Sequence, residues 1–449
     1  MANSTEEMQT EIKKRRLVSV RIEGLFGNLT HFIPLNADSG ITILTGPNGC
    51  GKTTILRLIK ASEDFAVEYN LRVLLDVPYR EIVFCFDDET ELAVIKIDDV
   101  NELKNGEPAT PLNHPCGIGF EGCIYLDIKP PRDKIFNSKC ALQFIERRTA
   151  DNSTINSYTS GIFGPDIMPG RLNSVMLHEG KKLPCWAGGC YIHTQFISTE
   201  RIEPQRTNRY EMEKGLHMLG ELVIEEIGER FIKRVFAAKT IMISMTKKLN
   251  RSRKSREIDR AEREADYAAE ELNIRLQKIV DKQKRLNDAG IIIGELPFNK
   301  LKASATIAAL SIYVEDEEQK LGVFDALLRE AELFQKIVNS RLGKKRLILN
   351  DAEGLKVINS HSGESVPLHL LSSGEQHEIN LFFDLIFPTA SNSLVLVDEP
   401  ELSLHIAWQL KFIDDISKVR ELRGCQFLLA THSPAIIDDH WDYVVELEA

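Results

Sequence analysis

The chain has no uninterrupted apolar run long enough to cross a bilayer, and Met1 to Arg16 lack the apolar centre of a secretion signal. Transmembrane and exported classes are therefore disfavoured, and a cytoplasmic location with no membrane partner is expected. No Cys-x-x-Cys pair occurs among the eight scattered cysteines, so neither a zinc site nor a disulfide framework is favoured. Reduced structural thiols are the expectation. Positive charge is also short, with 56 Lys and Arg against 67 Asp and Glu and a formal net charge of −11. That excludes a protein coated in basic surface, but not a local basic patch. What is present suits a soluble globular protein of one large or two ordinary domains: 449 residues, 43% hydrophobic and 27% charged.

From Leu17 the pattern Leu-Val-Ser-Val-Arg-Ile alternates as a strand does. Ile41-Thr-Ile-Leu-Thr45 is a second apolar strand, and it runs directly into Gly46-Pro-Asn-Gly-Cys-Gly-Lys-Thr53. That octet has the Gly-x4-Gly-Lys-Thr spacing of a phosphate-binding loop. Gly46, Gly49 and Gly51 let the backbone turn sharply enough to aim successive N–H groups at phosphate oxygens, with Asn48 at the loop's apex. Lys52 supplies charge to the β- and γ-phosphates, and Thr53 offers a hydroxyl to Mg2+. Thr53 and Thr54 then open a helix to Lys60, whose positive end points at the nucleotide.

The last eighty or so residues carry the complementary signals. Leu394-Val-Leu-Val397 is all apolar, as a parallel strand buried on both faces must be, and it delivers Asp398-Glu399-Pro400 to the strand end where open α/β sheets bind ligands. Asp398 is placed to hold Mg2+, and Glu399 to polarise an attacking water. Upstream, Leu371-Ser-Ser-Gly-Glu-Gln376 precedes an apolar helix from about Glu378 to Phe387. Downstream, Gln426-Phe-Leu-Leu-Ala-Thr431 is another buried strand, ending in His432 before Ser433-Pro434.

Phosphate loop, Leu-Ser-x-Gly signature, Asp-Glu pair and strand-end His stand in the order of the ABC ATPase superfamily, which the chain resembles. Ser403-Leu404-His405 looks like that family's D-loop, in the form of its soluble members. The resemblance implies bound ATP with Mg2+, Glu399 and His432 in catalysis, and a homo-oligomer sharing ATP between subunits. Ser372 and Gly374 of one copy then meet the phosphate held on Lys52 of another. A lobe-linking residue is less clear: Gln195 or Arg201 could serve, and so could an ordinary strand edge.

The implied fold is α/β: an ABC ATPase head with a mixed or parallel sheet, an antiparallel β subdomain and an inserted helical hairpin. Residues 1–205 form the expected N-terminal lobe, 206–290 the hairpin and 291–449 the C-terminal lobe. Lys52 and Ser372 lie 320 residues apart, far more than in the motor ATPases of transporters, so something large is inserted. Ile82–Phe86 and Leu92–Ile97 flank a polar turn and predict an antiparallel hairpin. Irregular connections are expected from Pro130 to Gly189. Apolar residues at three- and four-residue steps from Ile224 to Met245, and again from Ala265 to Leu286, predict two helices about 35 Å long at ~1.5 Å per residue. Between them Lys247, Lys248, Arg251, Arg253, Lys254 and Arg256 fall together, as a nucleic-acid or acidic-partner docking point near the tip or as a solvated helix surface. Val323 to Ser340 predicts a helix, and Leu347–Leu349 with Leu355–Ile358 a hairpin.

Of four functional readings, the motor of a membrane transporter is disfavoured by the split motifs and the charged insertion, a pure scaffold that needs ATP only to hold its shape is another, and two lead. The motifs around Ser372, Asp398 and His432 are similar to those of stand-alone ATPases of bacterial anti-phage systems, of the PARIS or Septu type. These hold a separate effector, a nuclease or toxin, and release it on a signal. The alternative is a DNA-repair ATPase of the RecF or SMC kind. With Ala449 shortly after His432, no appended C-terminal nuclease domain is expected.

Overall fold

The computed structural model describes residues 16–62, 73–74, 76–97, 120–129, 140–148, 154–162, 174–177, 181–184, 194–197, 216–261, 269–291, 307–402 and 404–448. Arg201 and Ser403 fall outside these. The chain divides into two compact units, the first made of residues 1–199, 389–402 and 409–449, the second of residues 200–388 and 403–408. The architecture is α/β.

The first unit contains two large sheets. One is antiparallel, with β1 (Leu17–Leu25), β2 (Leu29–Pro34), β4 (Glu81–Phe86), β5 (Glu91–Ile97), β6 (Phe120–Lys129), β7 (Cys140–Arg148) and β8 (Thr154–Ile162) in the order 2-1-4-5-6-7-8. The other is wholly parallel, with β3 (Ile41–Thr45), β11 (Thr194–Ile197), β15 (Leu394–Asp398), β16 (Gln426–Ala430) and β17 (Val444–Glu446) in the order 11-15-16-3-17. All five residues of β15 are buried, which is why its sequence carries no polar alternation. Between the sheets lies helix α1 (Lys52–Ala61), whose Ile55, Leu56, Leu58 and Ile59 join Val20, Ile22, Ile82, Phe84, Leu396 and Leu428 in one core cluster. Full burial of each such side chain stabilises by about 1.5–3 kcal/mol. A small hairpin, β9 (Ser174–Leu177) with β10 (Lys181–Pro184), also belongs here.

The second unit is mainly helical: α2 (Leu216–Ala261), α3 (Ala269–Asp288), α4 (Ile307–Gly322), α5 (Asp325–Asn339) and α6 (Ser373–Ile386). A three-stranded sheet of β12 (Lys345–Asn350), β13 (Gly354–Asn359) and β14 (Ser365–Val366) packs with them. Phe231 of α2, Phe334 of α5, and Phe383 and Phe387 at the end of α6 form an aromatic knot, with three edge-on contacts near 5.6–5.9 Å and one stack at 4.5 Å. Arg341 and Glu378, 2% and 1% exposed, pair inside this unit, and Arg341 also covers the Phe382 ring.

Most predicted elements are present, including both hairpins and the helix beginning near Val323. Two expectations need correction. The stretch from Pro130 to Gly189 is not merely irregular, because β7 and β8 pair residue for residue from Cys140↔Ile162 to Arg148↔Thr154. Scattered Gly and Ser hid the Thr, Ile and Tyr that favour strands there. The second correction concerns the basic cluster, which does not break the helices. It lies within α2, a single helix of 46 residues, or about 69 Å at ~1.5 Å per residue. From Glu229 to Ala261 there is no Gly or Pro, and Lys and Arg are good helix formers. Helices α2 and α3 are joined through a third partner, α4: Arg256 of α2 forks onto Asp316 at 2.6 and 3.2 Å, and Arg275 of α3 onto Glu318 at 2.5 and 2.9 Å. Among the described residues no helix is long and apolar enough to cross a membrane.

Candidate active site

The site is built at the C-terminal ends of three adjacent parallel strands, β15, β16 and β3. From β3 the chain enters the Gly46–Gly51 loop and then α1, with Gly51 as a left-handed N-cap at φ 93°. A side chain at Gly46 would strike the Leu447 carbonyl at 2.6 Å, and one at Gly51 would strike Leu25 at 2.8 Å. Only glycine fits both the backbone angles and the space.

Lys52 is buried, and its ammonium donates to the carbonyls of Gly46 at 2.9 Å and Pro47 at 3.1 Å, with the Cys50 sulfur 3.6 Å away. The charge thus sits inside the loop's curve, held by neutral acceptors alone, as a group awaiting an anion should be. His31 of β2 lies behind the loop at Cys50. Burial lowers its pKa, opposed by the Cys50 backbone and by the charge of Glu448.

Asp398 ends β15, opposite Ala430 of β16. Its carboxylate accepts the Thr53 hydroxyl at 3.0 Å. Burial pushes the Asp398 carboxyl above its ordinary value, the Thr53 bond and Arg57 pull it down, and Glu399 and Glu401 push it up again. The buried Asp398 carboxylate and the Thr53 hydroxyl are hard oxygen donors in contact, a pair that fits a divalent cation completed by phosphate oxygens and water. Among the described residues no group of three or more His, Cys, Asp and Glu is placed to hold a metal ion.

Glu399 has φ 45°, a left-handed backbone rare for a side-chain-bearing residue, and its N–H donates to the Ala430 carbonyl at 2.8 Å. Such strain, fixed by a neighbouring strand, is characteristic of functional positions. His432 follows β16 and is exposed.

Sequence reasoning missed Glu401. Its carboxylate accepts the Thr431 hydroxyl at 2.7 Å and the His432 N–H at 2.8 Å, and so ties the loop carrying Glu399 to the strand end carrying His432. Gln409 extends the tie, donating to the Glu401 carbonyl at 3.3 Å and accepting from the Ser433 hydroxyl at 2.6 Å. The charged Asp-Glu-Pro-Glu run was the available signal. Phe26 was missed too: its ring lies where a Gly51 side chain would meet it at 3.1 Å, and it is 44% exposed beside the loop.

Lys52, Thr53, Asp398, Glu399 and His432 are thus brought together in one unit, with Asn48, Gly49 and Thr54 on the same loop and helix. Ser372 and Gly374 belong to the second unit. There Ser372 is the N-cap of α6 in a reciprocal capping box with Glu375, which is also paired with Lys345 at 2.8 Å. Gln195 lies opposite Val395, toward the far end of β15 from Asp398, and accepts from the Thr389 hydroxyl at 2.7 Å.

Residues 244–438 match a family described as "AAA domain, putative AbiEii toxin, Type IV TA system", and residues 19–62 match a second AAA domain family. A search of curated proteins found no match. Similar solved structures include the Smc head domain of Pyrococcus furiosus with an extended coiled coil, bound to the C-terminal domain of ScpA. It is 13% identical over 96% of this chain and 93% of that one, at a TM-score of 0.37. The Smc head of Pyrococcus yayanosii with a coiled coil and joint is 12% identical over 96% and 95%, at 0.32. The first AAA match contains the strand-end carboxylates and the second contains the phosphate loop, so both halves of the site lie in segments similar to AAA-type ATPase domains.

Proposed function

We propose that the chain binds ATP with Mg2+ on the Gly46–Thr54 loop and hydrolyses it slowly, as a switch controlling a separate effector protein. The observation carrying this reading is the Thr53 hydroxyl on Asp398 at 3.0 Å, with Glu399 next in sequence on a constrained backbone. Asp398 and Thr53 would hold Mg2+, which supplies charge neutralisation at the phosphates. Lys52 exchanges its loop carbonyls for phosphate oxygens. Glu399 takes the proton from the attacking water, and His432 contacts the γ-phosphate. Phe26 offers its ring to the adenine.

Ser372 and Gly374 of a second copy complete the site, so hydrolysis is tied to association of subunits. The matched family's description, an AAA domain of a putative toxin in a type IV TA system, supports a setting of toxin–antitoxin or anti-phage defence, and the separate effector is our own reading. The test is a native pull-down of tagged Glu399→Gln protein with Mg-ATP. A separately encoded nuclease or toxin in stoichiometric amount supports the reading. Nucleic acid without a protein partner moves it to the DNA-repair alternative.

A further inference from the structure

Helix α2 buries Ile224, Ile227, Phe231, Val235 and Leu249 on one side. At ~100° per residue, the opposite side should be polar. It instead carries Phe236 and Ile243, one heptad apart and 71% and 51% exposed. Thr240 stands between them, exposed, its hydroxyl turned back onto the Phe236 carbonyl at 2.9 Å.

The same stripe is sorted by charge along the helix. Glu225 and Glu229 precede the apolar pair, and Lys247 and Arg251 follow it, all exposed, while Lys233 on the same stripe is paired with Glu229 at 3.4 Å. Reversing the helix turns acid–apolar–base into base–apolar–acid, so the stripe is complementary to itself. The geometry points to an isologous, antiparallel pairing of α2 with α2 of a second copy of this chain. In that register Glu229 faces the partner's Lys247, Glu225 faces the partner's Arg251, and Phe236 is enclosed by the partner's Phe236, Thr240 and Ile243. The stem of Lys233 lies along the partner's Ile243 with its ammonium beside Glu229 of its own helix. The segment from Glu225 to Arg251 is about 40 Å long at ~1.5 Å per residue, long enough for a continuous seam. The pairing needs no nucleotide and stands apart from the shared ATP site.

The experiment is sedimentation equilibrium of full-length Lys52→Ala protein at micromolar concentrations, a background without nucleotide-driven association. A dimer is expected. Phe236→Ser with Ile243→Ser should abolish it, with the thermal unfolding midpoint unchanged. Glu229→Lys alone and Lys247→Glu alone should each weaken it about tenfold through like-charge contact, and the two together should restore it. A monomeric Lys52→Ala protein overturns the inference. So does a dimer indifferent to these changes, or a charge swap that fails to rescue. Loss of binding to a DNA duplex in Lys247→Glu protein, with the oligomeric state unchanged, assigns the stripe to nucleic acid and overturns it as well.

Discussion

The Thr53 hydroxyl and the Asp398 carboxylate meet at 3.0 Å across 345 residues of chain. One opens the first helix after the phosphate loop, and the other ends a buried parallel strand two positions away in the sheet from the strand that feeds that loop. This contact joins the two halves of the site.

Glu399→Gln should bind ATP as the wild type does and hydrolyse it about 10²–10⁴-fold more slowly, the usual cost of losing a general base. Lys52→Ala should lose measurable binding, because the loop then offers phosphate no mobile cation. Fluorescent-nucleotide titration and phosphate release separate the two. Wild-type turnover by Glu399→Gln would show that another group is the base.

Asp398→Asn should abolish turnover yet raise the thermal midpoint of the ligand-free protein. Burial raises the folded-state pKa of Asp398, so its ionised form costs stability at neutral pH, and that cost is absent below the ordinary carboxylate value. The gain should therefore be present at pH 7 and fade in acid. Equal midpoints across the range would mean that the carboxylate is not strained by its surroundings.

Glu401 acts through its neighbours, by fixing Thr431 and the His432 backbone. Each hydrogen bond to its charge is worth about 1.5–3 kcal/mol, so Glu401→Ala should lower kcat about tenfold or more with little change in KM. Glu401→Gln keeps one acceptor and should fall between. A parallel loss of ATP affinity would indicate a direct nucleotide contact instead.

Burial pushes the Cys425 thiol up to about 12 from 9.0. Its ionisation is thus withheld in the folded chain, and any destabilisation from it appears only above about pH 9. Peptide mapping after iodoacetamide at pH 8 should find Cys425 unmodified in native protein and alkylated after denaturation. Rapid native alkylation would contradict its burial.

Removing Glu378 by Glu378→Leu should destabilise the second unit by about 3–5 kcal/mol, because it takes away the carboxylate paired with the buried Arg341 guanidinium. Denaturant unfolding measures this. A change below about 1 kcal/mol would place water beside the guanidinium.

What the sequence determined by itself is the local chemistry. Gly46, Gly51 and Lys52 announce their loop because backbone angle, space and charge restrict each position to one residue type. The apolar runs at Ile41, Leu394 and Leu428 announce buried strands for the same reason. The β4–β5 and β12–β13 hairpins were legible from alternation broken by polar turns. Relations between distant segments, and the competition among weak propensities, were settled by the assembled fold. Glu401 looked like one more acidic residue until the fold brought Thr431 and His432 to it. The Lys- and Arg-rich stretch of α2 looked like a break because charge masks apolar periodicity, yet packing on α4 and Arg256–Asp316 carry the helix through it. The strands β7 and β8 were hidden because long-range pairing, not local pattern, selects them.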